Sequence, residues 1–86
     1  MVNYTILRLP AVLQARGRSR STHYLDIQQG LFTRPVSLGA RSVGWPEHEV
    51  AALNEARIAG KGEVEIRSLV RTLEASRKAP IQLEQR

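Results

Sequence analysis

Apolar and polar positions along the chain change period several times, and each change marks an element. Tyr4, Ile6 and Arg8 alternate with Thr5 and Leu7, a period of two that predicts a brief edge strand. Leu9, Val12 and Leu13 then stand at i, i+3 and i+4, which predicts a short helix over 10–16 with proline at its first position and Gly17 as its left-handed stop. A second helix follows, capped by Ser19 or Ser21 and running to about Gln29, with Gly30 closing it. Tyr24, Ile27 and Leu31 form its expected inward stripe, which leaves Arg20, Ser21 and Thr22 facing outward near its start.

The period returns to two over 35–45, where Val36 and Leu38, then Val43 and Trp45, flank Gly39-Ala40-Arg41-Ser42. That is a hairpin signal, with Arg41 at or near its tip. Pro46 opens a third helix with Glu47 and Glu49 in its first turn, where carboxylates complement the helix dipole, and with Val50 and Leu53 turned inward. Gly60 ends it. A fourth helix over 63–78 carries Ile66, Leu69, Val70 and Leu73 at i, i+3, i+4 and i+7.

Two short helices joined at a glycine turn and followed by a hairpin read as a winged helix-turn-helix. The fold class expected is therefore mainly α with a small β-hairpin wing, plus an additional C-terminal helix. By this reading 1–60 form the winged domain, 61–78 form a helix packing on that domain or on a second copy, and 79–86 form a flexible tail.

Charge sharpens the picture. Of the 86 residues, 1–45 hold six arginines (Arg8, Arg16, Arg18, Arg20, Arg34, Arg41) against one acid, Asp26, a balance of +5, while 46–86 cancel five Arg and two Lys against seven Glu. A basic face should thus come from the first half of the fold, built of guanidinium groups whose planar fork suits phosphates and guanine edges. The alternative is a merely solvated arginine-rich surface. No cysteine is present, so neither a disulfide framework nor a thiolate metal site is available, which fits a reducing compartment. No apolar run approaches the roughly 18–20 residues of a membrane span, and the N-terminus lacks the order of a signal peptide. A soluble, cytoplasmic and nucleoid-associated protein is expected.

Catalytic readings find little support. His23 and His48 lack the companions of a metal site, so each is expected to be structural or exposed and no cofactor is expected. Gly60-Lys61-Gly62 lacks the length and the hydroxyl residue of a phosphate loop. No serine sits in a recognisable nucleophile motif, and the chain is not expected to be an enzyme.

For duplex DNA the candidates can be ranked by reach. The hydroxyls of Ser19 and Ser21 and the amides behind them suit a phosphate clamp, although plain capping is their other use. Arg20, at the start of the second helix, is the first choice for a base-edge contact. Thr22 and Tyr24 could touch a thymine methyl or a phosphate, with Tyr24 otherwise a core residue whose hydroxyl lies at the rim. Arg41 would enter or flank a minor groove, and Arg18 and Arg34 suit phosphates on either side of the major groove, with Arg8 and Arg16 behind them.

These landmarks also resemble a family. Gly17-Arg18-Ser19-Arg20-Ser21-Thr22-His23-Tyr24, Gly30-Leu31-Phe32, Pro35-Val36, Leu38-Gly39, Arg41, Val43-Gly44-Trp45 and Glu49-Val50 resemble the AlpA-type prophage regulatory proteins over about residues 8–60. The stretch from Ala52-Leu53-Asn54 to Glu65-Ile66-Arg67 is similar to a longer subgroup. The resemblance implies a winged helix-turn-helix related to excisionases and to the MerR-type DNA-binding domain. It also implies a small regulator of a prophage or integrative element, acting on transcription or as a recombination directionality factor that bends attachment-site DNA. This chain departs from the pattern at His23, where many members are aliphatic, at Leu25, where they are arginine or polar, and at Ser37, where they are basic. Ser37 is kept among the candidate DNA contacts of the wing.

The function expected is sequence-specific binding of double-stranded DNA, with self-association on DNA and an integrase or RNA polymerase as further partners. Ile66, Leu69, Val70 and Leu73 are expected to complete the domain's core and, secondarily, to serve oligomerisation. The rival is a protein-interaction adaptor that works through that same stripe.

Overall fold

A computed structural model describes residues 5–77. Among them the chain forms β1 (Ile6–Leu7), α1 (Leu9–Arg16), α2 (Arg20–Gln28), β2 (Val36–Ser37), β3 (Val43–Pro46), α3 (Glu47–Ile58) and α4 (Glu63–Ser76). The strands make one antiparallel sheet in the order β1-β3-β2, so the N-terminal strand pairs with the far arm of the hairpin. This is the winged helix-turn-helix with an added C-terminal helix that the periodicity predicts. Tyr4, Lys78 and the expected tail over 79–86 lie outside the described residues.

Local chemistry accounts for the element ends. Gly17 takes φ 67° at the end of α1, and its amide donates to the Leu13 and Gln14 carbonyls that the helix leaves unpaired. Ser19 rather than Ser21 caps α2, its Oγ accepting the Thr22 amide at 3.3 Å while donating to Thr22 Oγ1 at 2.9 Å. The Glu65 carboxylate reaches back to accept the Gly62 amide at the start of α4. Gly44 serves a different end, since a Cβ there would sit 2.5 Å from Ile6 Cγ2 and 2.9 Å from the Leu7 carbonyl. Only glycine lets β1 lie so close against β3.

The core unites α1, α3 and α4 with the sheet and the 31–32 segment, and α2 leans on it through Ile27. Val12, Leu31, Phe32, Trp45, Val50, Leu53, Ile66 and Val70 are buried, with Leu7, Leu9, Ile27, Ala56, Leu69 and Leu73 packed around them. Trp45 is fully buried and satisfies its indole N–H on the Thr33 carbonyl at 2.9 Å. The α4 stripe is therefore used inside the domain: Ile66 and Val70 are buried, and Leu69 and Leu73 lean on the same core. An adaptor surface made of that stripe would have to be pulled out of the fold.

The hairpin forms where the periodicity predicts it, and one expectation, the inward stripe of α2, needs correction. The hairpin register pairs Val36 with Gly44 and Ser37 with Val43, which puts Val36 and Leu38 on the sheet face opposite Val43 and Trp45. Of these only Trp45 enters the core, and Leu38 and Val43 are exposed. The inward stripe of α2 is rotated: Tyr24 is exposed, and His23 takes the inner position with Asp26 and Ile27.

Candidate nucleic-acid interface

The placement of α2 rests on a buried polar cluster. Arg16, the last residue of α1, donates to Asp26 Oδ2 and to His23 Nδ1, both at 2.7 Å, and its guanidinium carbon lies 4.0 Å from the centroid of the Phe32 ring. Arg18 reaches the same Asp26 oxygen at 3.2 Å. These bonds run from the end of α1 to the inner face of α2, so they set how one helix is rotated against the other. A buried charge survives only when paired and hydrogen-bonded, and each member here supplies what another lacks.

The histidine's state follows from its partner. A guanidinium can only donate, so Nδ1 must accept and the ring proton sits on Nε2. That N–H has no hydrogen-bond partner among the described residues, and the ring is enclosed edge-on by Tyr24, Phe32 and Trp45. Burial and then the neighbouring Arg16 charge lower the His23 pKa to about 4, with Asp26 pulling the other way. His23 is thus neutral near pH 7 and belongs to the core, which fits its structural reading.

With the inner face fixed, the outer face is defined. Arg20, Ser21, Tyr24, Leu25 and Gln28 all lie exposed along one side of α2. Arg20 and Ser21 occupy the first turn, where the unpaired amides and the positive end of the helix dipole favour an anion. Thr22 is half-buried, and its hydroxyl is engaged by Ser19. Leu25 and Gln28 were not among the sequence candidates. The signal for them is their i+4 and i+8 spacing from Ser21 and Arg20, usable only once the inner stripe is assigned to His23 rather than Tyr24.

The arginines of the first half divide. Arg20, Arg34 and Arg41 are exposed, and Arg18 is partly exposed while also pairing with Asp26. Arg8 is exposed and spends its Nε on the Val43 carbonyl at 3.1 Å, tying the start of α1 to β3. Arg16 leaves the surface altogether, its side chain 4% exposed. Its place among the back-up phosphate contacts is withdrawn, because its donors are consumed in the cluster.

The wing is held at both ends. At its tip the Leu38 amide donates to the Ser42 carbonyl at 2.7 Å, and Ser37 Oγ donates to the Gly39 carbonyl at 3.2 Å, leaving Arg41 exposed on the turn. At its base the Arg34 amide donates to Glu74 and the Arg34 carbonyl accepts from Arg77. Arg77 also forms two hydrogen bonds, 2.7 and 2.8 Å, to the fully buried Glu49, whose hydrogen bonding raises the arginine's pKa further. Glu49 therefore does more than complement the α3 dipole. It ties α3, α4 and the wing base together.

Comparison with known proteins assigns the family. A family profile described as prophage CP4-57 regulatory protein (AlpA) matches residues 5–58, the span from β1 through α3. The chain is also similar to a protein of Enterobacteria phage P4 named "Uncharacterized protein ORF88", with 47% identity over 55 residues, covering 64% of this chain and 62% of that protein. The match thus spans less than two thirds of the relative's length. No solved structure matches the chain. Among the described residues no helix is long and apolar enough to cross a membrane. Because the profile covers well over half of the chain and takes in both helices and the wing, the protein belongs to the AlpA family of prophage regulatory proteins.

Proposed function

We propose that the protein binds double-stranded DNA sequence-specifically, with the outer face of α2 in the major groove and Arg41 of the wing in the neighbouring minor groove. The observation that carries this reading is the two-sided character of α2. Its inner side is locked by Arg16, Asp26 and His23, while its outer side leaves Arg20 and Ser21 open at the helix N-terminus. In this arrangement Arg20 forks onto a base edge, Ser19 and Ser21 clamp phosphates, and Tyr24 and Thr22 lie along the groove wall. Arg18 and Arg34 hold phosphates to either side, and Ser37 contributes only as far as its hydroxyl can leave the wing turn.

Membership of a prophage regulatory family supports a role at the promoters or attachment sites of a mobile element. There the protein regulates transcription or, as a recombination directionality factor, bends DNA so that an integrase excises the element. Copies bound side by side supply affinity that one small domain lacks.

Fluorescence anisotropy with a labelled random-sequence duplex, followed by duplexes enriched from that pool, tests the reading. The four arginines brought to the duplex, Arg18, Arg20, Arg34 and Arg41, give a log–log salt slope of about −3.6 if each releases one counterion. Arg20→Ala weakens binding to the enriched duplex by roughly 1–3 kcal/mol and narrows its preference over random sequence. A slope near zero, or an unchanged preference in the variant, removes the proposal.

A further inference from the structure

A second group of cations lies where the sequence balance places none. Residues 46–86 carry no net charge, yet α4 brings Arg67 and Arg71 into one groove with Arg34 of the wing base and Gln28 of α2. Gln28 belongs to the outer face of α2, so this groove continues the surface proposed above to bind DNA. From the coordinates we infer that α4 extends that surface, and that Arg71, with Arg34, holds the sugar-phosphate backbone where the duplex passes the C-terminal end of α2. This inference rests on the DNA-binding reading and adds a contact outside residues 5–58, the span shared with the family.

The groove is built rather than incidental. Arg67 lays its stem over Gly30 and donates from Nε to the Gln29 carbonyl at 2.8 Å, which fixes α4 against the end of α2. The carbonyls at that end carry the negative pole of the helix and would repel a phosphate, and Arg67 covers one of them. Glu74 is the acidic group in the groove, and its Oε2 is engaged by the Arg34 amide at 2.8 Å, which anchors the residue bearing the Arg34 side chain. Arg67 divides its charge with Glu63, 3.6 Å away on the helix surface. Arg71 is exposed and has no hydrogen bond or ion pair among the described residues. The free guanidinium of Arg71 lies beside the anchored Arg67 and beside Arg34, whose backbone is fixed at both its amide and its carbonyl, on a face continuous with the outward side of α2, and cations spaced along such a face suit an extended polyanion.

The contact is to phosphate and so carries no sequence preference. The test uses the whole chain and the variants Arg71→Gln and Arg71→Lys, with a random-sequence duplex and the enriched duplex, each titrated over a range of sodium chloride. Arg71→Gln is expected to make the salt slope shallower by about 0.9 and to weaken both duplexes equally, roughly five- to tenfold at 0.1 M salt, whereas Arg71→Lys keeps the slope. Far-ultraviolet circular dichroism and the melting temperature should stay unchanged, since the side chain is exposed. An unchanged slope in Arg71→Gln, with Arg20→Ala still impaired, overturns this inference and leaves the DNA reading standing. A loss confined to the enriched duplex also overturns it. Failure of the native chain to bind either duplex removes both.

Discussion

Arg16 and Arg20 stand four residues apart across the Gly17 turn, and they meet opposite fates. Arg16 points to the inner side of α2, where Asp26, His23 and the Phe32 ring take up its charge, and its side chain is 4% exposed. Arg20 points outward in the first turn of the same helix with its guanidinium open. One region spends arginine on architecture and the other keeps it for a partner. Charge counts therefore cannot be read directly as binding surface. The six arginines of the first 45 residues overstate the basic face by the one buried with Asp26, although the +5 balance survives because that pair cancels, and the zero balance of the remainder conceals the arginines that α4 sets beside α2.

The contrast breaks first at Asp26. Asp26→Ala would leave Arg16 buried without its carboxylate, and truncating one partner of such a pair costs about 3–5 kcal/mol. Thermal unfolding followed by circular dichroism should register it as a large fall in the melting temperature, while Arg20→Ala leaves that temperature within a degree or two. Equal effects of the two substitutions would erase the distinction between the faces.

Acid should loosen the same inner face by nearly as much. His23 has a folded pKa of about 4 against an ordinary 6.5, so the unfolded chain takes up the proton first as pH falls. The stability that depends on neutral His23 is intact above pH 6.5 and drains away between 6.5 and 4, for a total near 3 kcal/mol. Urea midpoints at pH 7, 5.5 and 4 measure this. In His23→Gln, which cannot titrate, the dependence on pH over that window should flatten, and parallel curves for the two proteins would refute the assignment.

The smallest effect sharpens the outer face. Leu25 is 49% exposed in the middle of it, and in a major groove it would bury against a thymine methyl group. Replacing thymine by deoxyuridine in the enriched duplex removes only that methyl and should cost about 0.8 kcal/mol for each methyl in contact. Leu25→Ala should show little difference between the two duplexes. Indifference of the native chain to the replacement would mean that Leu25 does not face the bases.

Much of this could be read in advance from short-range order. Gly17 and Ser19 delimit the first two helices, Gly60 follows the third, and the stripe from Ile66 to Leu73 finds its core. The rotation of α2 escaped because a tyrosine outranks a histidine as a core residue, and nothing within the helix reveals that Arg16 will supply the partner His23 needs. Local order shows Glu49 only as a complement to the helix dipole, because Arg77, which makes its burial possible, lies 28 residues away.

Amino-acid order by itself thus settled which helices and strands form and in what order, that a hairpin follows two short helices, and that the first half carries a surplus of cations. Those features depend on backbone dihedrals, capping and periodicity, which act over a few residues. Which cations remain available, which side of α2 faces away from the core, and that α4 sets Arg67 and Arg71 in a groove beside Gln28 of α2 were settled by packing. They depend on pairings between groups far apart in the chain, and a buried charge chooses its partner only when the fold brings the two together.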